Sequence, residues 1–273
     1  MPIQKTLPQL PNPWGGDLVE VEPLFSGSRD LHDINPRPSM VLKLRRADLL
    51  IRLGLEQDSW VDSLIEVAKN KKVFPGKLGY LDCSTGIDPL EVPQGQLDGR
   101  HGDVHKLGNP HYWLNPYNGI LIAKQIRDKL VMIRPEGKDV FYNNFNSFSS
   151  LLNKKILVWE KTLAPLKKSR FVTYHKTWAY FFDAFELNSI GQLEPLPGIP
   201  PTTGHLNNLK VLAFSDPSPI VVVSAKYYPK HSGIVFADSV RGRFLALSTS
   251  VGDNGIKSYT DIFDSIVKEL TRK

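Results

Sequence analysis

The chain predicts an α/β protein of two lobes, each a small parallel sheet with flanking helices, joined by one long backbone helix. Three observations predict it. Short apolar, β-branched segments alternate with segments of helical period along most of the 273 residues. One unbroken apolar stripe of about seven turns interrupts that alternation near the middle. Finally, Ile220 to Val223 is apolar without alternation, as a strand covered on both faces of a parallel sheet must be.

The elements follow in order. Leu18 to Val21 reads as a first strand, the stretch Glu20 to Leu24 leading toward His32. Asp48 to Arg52 reads as a second, before a helix carrying Trp60, Val61, Leu64, Ile65 and Ala68. A third strand fits Leu78 to Cys83. Asn115 and Pro116 supply a cap and a first-turn proline for a helix with Ile120, Ala123, Ile126, Leu130 and Ile133 on one face. Phe141, Phe145, Phe148, Leu152, Ile156, Trp159, Leu163 and Leu166 then step by three and four, a rod of roughly 39 Å at the helical rise. Beyond it come a strand at Arg170 to Tyr174, a helix at Thr177 to Phe185 and a strand near Gly191 to Leu196. A helix at Leu206 to Phe214, strands at Ile220 to Val223 and Phe244 to Leu247, and a closing helix at Tyr259 to Leu270 complete the pattern. The expected division is a first lobe over 1–138, the connecting helix over 139–167 and a second lobe over 168–273.

Composition narrows the function classes. A net charge of +6 is modest, and basic residues are interleaved with acidic ones, so nothing marks a nucleic-acid binder. The densest basic run, Lys43, Arg45 and Arg46, reads as a solvated helix face. Cys83 is the single cysteine, which excludes an internal disulfide and a cysteine-based zinc site; a buried strand position suits it. No apolar run is long enough to span a membrane. Met1 to Trp14 lack the apolar core of a signal peptide, leaving either a cytosolic protein or a mature exported chain without its leader.

The chemistry rests on His32, His111, His175 and Asp253, separated by about 60 to 80 residues each, so that only a tertiary fold gathers them. Gathered, they form a shell of three nitrogens and one oxygen, which suits a divalent first-row ion, Zn²⁺ above the harder Mn²⁺. Each has a plainer reading: His111 as a capping histidine, His32 as a loop residue, His175 as a core histidine, Asp253 as a turn residue. His101 and His105 read as solvated loop residues able to capture metal transiently, and His205 and His231 as non-ligands. Glu194, in the proline-dense stretch to Pro201, is a weaker candidate, as a ligand or as an acceptor for one. Binding requires neutral imidazoles and therefore weakens as pH falls through about 6.5.

These segments resemble the metal-binding solute-binding proteins of ABC transporters for zinc and manganese. The likeness runs from about Gly15 to the C-terminus. It lies in His32 through Pro38-Ser39 to Ala47-Asp48 and Gly54-Leu55, in Asn109 to Pro116, in Phe171 to Phe182, in Glu194 to Pro201, and in Asp253 before the last helix. The resemblance implies two α/β lobes joined by a backbone helix, metal in the cleft between them, and small local movements on capture. It also implies delivery to a membrane permease from outside the cytoplasmic membrane by a monomer that is not an enzyme. The fourth ligand is Asp253, Glu194 or a water. Asn109 and Asn115 replace the family's aspartates beside His111, and Lys176 adds a positive charge beside His175, changes that weaken cation attraction. The stretch Thr6 to Trp14, with three prolines, departs from the family's opening strand and helix. The rival reading is a zinc-dependent hydrolase, which needs an open coordination position; a third is an adhesin-like surface protein on the same fold.

Overall fold

The protein is described from a computed structural model over residues 15–25, 29–32, 34–93, 105–253 and 255–272. Thr6 to Trp14, Asp33, His101 and Asn254 lie outside the described residues. The chain divides into two compact units, one of Met1–Ile87, Pro116–Ile156 and Ser250–Ile262, the other of Asp88–Asn115, Leu157–Thr249 and Phe263–Lys273. Both follow the predicted class.

The first unit holds a parallel pair, β1 (Leu50–Arg52) and β2 (Tyr80–Asp82), with Leu50 opposite Tyr80. Cys83 follows β2 directly, fully buried, its N–H on the Arg52 carbonyl. Helix α1 (Pro38–Arg46) opens on Pro38, where a missing N–H costs nothing, and buries Met40 and Leu44. Arg45 and Arg46 point outward as expected, while Lys43 is half-buried, donating to the Pro23 carbonyl. Helix α2 (Trp60–Ala68) buries Val61, Leu64, Ile65 and Ala68, and α3 (Pro116–Ile133) buries Ile122, Ala123, Ile126 and Leu130.

The strand expected at Leu18 to Val21, and its extension toward Leu24, does not form. Gly16 turns the chain at φ +50, Leu18 N–H closes a 3-10 turn on the Gly15 carbonyl, and Glu22 makes only an isolated bridge. Pro23, with no N–H to donate, blocks further pairing.

The second unit is a four-stranded parallel sheet in the order β4-β3-β5-β6. Its strands are β3 (Arg170–Thr173), β4 (Asn188–Gln192), β5 (Ile220–Ala225) and β6 (Arg243–Leu247). Strand β5 is buried at every residue, as its continuous apolar run demands. Val172, Val222, Leu193, Leu209, Ala213 and Phe236 build a core against α6 (Thr203–Phe214) and α7 (Lys230–Ser239). Strand β4 starts earlier than the sequence pattern placed it, because a bulge opposite Phe171 and Val172 shifts its register at Gly191, φ +152. Lys176–Trp178 is a 3-10 turn that leads into α5 (Ala179–Phe185).

Helix α4 (Lys138–Leu163) runs from the first unit into the second and gives way at Ala164–Lys168 to a 3-10 turn containing Pro165. Its stripe is buried at Phe141, Phe148, Leu152, Ile156, Trp159 and Leu163. Phe145 is half-exposed, with the Arg127 guanidinium 4.4 Å over its ring. Helix α8 (Tyr259–Thr271) closes the chain; Phe263 stacks on Trp159 at 5.0 Å, and the Trp159 indole N–H donates to Asp264. No helix among the described residues is long and apolar enough to cross a membrane.

Candidate metal centre

His175 sits at the carboxyl end of β3, where open α/β sheets place their ligands. The ladder between β3 and the chain after β4 continues past the strand ends, with Leu193 N–H on Thr173 O and Glu194 N–H on Tyr174 O. The bulge in β4 thus delivers Glu194 beside His175. Its carboxylate Oε2 lies 2.7 Å from His175 Nδ1 and also accepts from Gly198 N–H at 3.2 Å. Both side chains are buried. A carboxylate accepts only, so the ring donates from Nδ1 and Nε2 carries the lone pair.

His111 precedes a 3-10 turn, Tyr112–Leu114, whose three residues are buried. The preceding chain is clamped by Tyr180, whose hydroxyl donates to Asn109 O at 2.7 Å and accepts from Leu90 N–H at 3.0 Å. Burial raises the Tyr180 phenol above its ordinary range, keeping it a neutral hydroxyl. Gly108 adopts φ +106, and a Cβ there would meet Pro89 Cβ at 2.8 Å and Leu90 O at 2.9 Å, so only glycine fits. Asn109 Oδ1 takes both the His111 backbone N–H at 3.0 Å and His111 Nδ1 at 2.9 Å. Asn109 Nδ2 donates to Glu91 Oε2 and to the Lys176 carbonyl, each at 2.8 Å. The amide orientation is therefore fixed by its partners, and His111 too donates from Nδ1. The two rings meet edge to face, centroids 5.5 Å apart.

His105, read from sequence as a solvated loop residue, instead lines one pocket with Glu91, Asn109, His111, His175 and Lys176. His205 Nε2 is engaged by the Gln192 carbonyl at 2.8 Å, and His231 is exposed. Burial pushes the Cys83 thiol well up, consistent with an inert core residue.

His32 and Asp253 belong to the first unit. The His32 backbone N–H donates to Asp30, and its Nε2 stands 3.3 Å from the Gln57 amide nitrogen. Gln57 is carried by the loop after β1, which Asp58 staples: its carboxylate accepts Leu53 N–H at 2.9 Å, Gly54 N–H at 3.2 Å and the buried Arg52 guanidinium. Burial opposes the charge on Arg52, but the carboxylates of Asp58 and Asp62 hold its guanidinium above its ordinary value. Asp253 is buried in a tight turn closed by Gly252 N–H on Ile256 O and Ile256 N–H on Asp253 O. Gln57 and Glu91 are the neighbours of this chemistry that no sequence motif marks.

Known proteins give the same direction. The family model described as zinc-uptake complex component A, periplasmic (ZnuA), matches residues 14–273. The zinc-binding lipoprotein AdcA of Streptococcus pneumoniae is 27% identical over 200 residues, covering 71% of this chain and 38% of AdcA. The manganese ABC transporter substrate-binding lipoprotein PsaA of Streptococcus pneumoniae is 28% identical over 180 residues, covering 64% of this chain and 55% of PsaA. The matched region thus spans less than two thirds of either relative. A crystal structure of a ZnuA deletion mutant with zinc bound has the same fold, at TM-score 0.77, 23% identity, and coverage of 94% of this chain and 90% of that one. On a match that takes in all but its first thirteen residues, the chain belongs to the ZnuA family of periplasmic zinc-uptake components.

Proposed function

We propose that the protein captures one divalent transition-metal ion, zinc before manganese, and hands it to the permease of an ABC transporter outside the cytoplasmic membrane. His32, His111, His175 and Asp253 are the proposed ligands. His32, His111 and His175 each offer one ring nitrogen as a ligand atom, and these atoms lie within 4.8 Å of one another. The observation that carries the reading is the pair His111 and His175, adjacent rings whose Nδ1 atoms are committed to Asn109 and Glu194, which makes Nε2 of each the metal-facing nitrogen. Glu194 serves His175 as its acceptor, so the proposed fourth ligand is Asp253, with a water as the alternative.

Three imidazoles and one carboxylate favour zinc, since manganese prefers more oxygen. The relatives include both a zinc-binding and a manganese lipoprotein. The family and these relatives support a transport binding protein rather than a hydrolase.

Calorimetric titration with zinc, alone and against manganese, tests the proposal on wild type and His111→Ala. Loss of a ligand is expected to weaken zinc binding by about 100-fold or more, at least the upper cost of losing an outer-sphere partner. Equal zinc affinity in the variant would remove His111 from the site. A preference for manganese in competition would reverse the assignment of the ion.

A further inference from the structure

Two features of this chain work against cation binding on paper: Asn109 carries no charge where an aspartate is usual, and Lys176 adds one of the wrong sign. In the fold both meet Glu91. Its Oε2 accepts from Asn109 Nδ2 at 2.8 Å, and its Oε1 lies 3.8 Å from Lys176 Nζ. Glu91 itself is held at φ +52, a left-handed conformation rare for its residue type, and Leu90 beside it is bonded through N–H to Tyr180 and through its carbonyl to Asn109 N–H.

We infer that Glu91 is the positioning residue of the His111 ligand, acting through the Asn109 amide and supplying from one side chain farther out the negative charge that position 109 lacks. The inference rests on the reading of His111 as a ligand. The path runs from the Glu91 carboxylate to Asn109 Nδ2–H, across the amide to Oδ1, and from Oδ1 to His111 Nδ1–H. Each bond polarises the next, so the ring is held as the Nδ1–H tautomer and Nε2 becomes a better donor. An aspartate at 109 would serve His111 equally but would set a carboxylate oxygen against the Lys176 carbonyl, which in this chain receives the second Asn109 N–H at 2.8 Å. An amide at 109 with a carboxylate at 91 satisfies all of these groups. The same carboxylate pairs with Lys176 and offsets its charge beside His175.

The test uses Glu91→Ala, which removes acceptor and charge, and Glu91→Gln, which keeps an acceptor oxygen and removes the charge. Imidazole ¹⁵N spectra of the metal-free protein at mildly alkaline pH report the His111 tautomer without any metal. Wild type is expected to show Nδ1–H at His111, and Glu91→Ala a mixture with Nε2–H, while Glu91→Gln stays close to wild type. Zinc affinity is expected to fall about tenfold in Glu91→Ala, the lower end of the 10–100-fold cost of outer partners, and by less in Glu91→Gln. Glu91 is about one-third exposed, so both variants should fold, which the melting temperature checks. An unchanged His111 signature in Glu91→Ala, with zinc affinity within twofold of wild type, overturns the inference. Failure of wild type to bind zinc would instead strike the ligand reading and leave the tautomer result standing.

Discussion

At the scale of single residues, the chemistry is carried by fixed acceptors as much as by the rings they hold. Glu194→Ala would leave the His175 Nδ1–H and the Gly198 N–H unanswered in a buried setting. We expect a stability loss of about 1–3 kcal/mol by thermal unfolding and zinc affinity lower by about 10–100-fold, with Glu194→Gln milder on both counts. Asp58 offers a contrast, because its role is to hold the loop that carries Gln57. Asp58→Ala leaves two N–H groups without their acceptor and takes one of two carboxylates from the buried Arg52 guanidinium, which keeps Asp62, at an expected cost of about 1–3 kcal/mol in denaturant unfolding. As candidate ligands, His32, His111, His175 and Asp253 were readable because each sits in a recognisable local segment. Glu91 and Gln57 were not, since what brings them to Asn109 and His32 is the path of the chain through space. Asn109 and Lys176 show in the sequence only a missing negative and an added positive charge; the carboxylate that meets both, Glu91, stands 18 residues before Asn109 with no motif to mark it.

At the scale of elements, the clearest signals belonged to those whose burial is one-sided or complete. The α4 stripe was readable because six of its positions are driven inward at helical spacing, and β5 because it is covered on both faces. Leu152→Ala in the middle of α4, at a site with no exposure, is expected to cost about 2–5 kcal/mol in equilibrium unfolding. An exposed neighbour such as Leu157→Ala, 67% exposed, should stay within about 0.5 kcal/mol of wild type. Less legible elements have local reasons. A glycine turn consumes the start of the apolar run at Leu18, and a bulge displaces β4. Helix α7 buries Gly233, Phe236 and Ala237 while exposing Ile234 and Val235, which blurs the period a reader would look for.

For the whole molecule, the α/β class followed from the alternation of segments, and the order of the parallel strands followed only from the fold. Under the proposed function, zinc at about 100 times its dissociation constant should add roughly 2.7 kcal/mol to apparent stability and raise the melting temperature by several degrees, reversed by a chelator. A melting curve indifferent to zinc would count against a site formed in the native state. The discontinuity of the two units has a further consequence for how the chain matures. Ser250–Ile262, the last piece of the first unit, lies within the final two dozen residues. That unit therefore cannot finish folding until the four strands of the other unit's sheet have been synthesised and Ser250–Ile262 has followed them out of the ribosome.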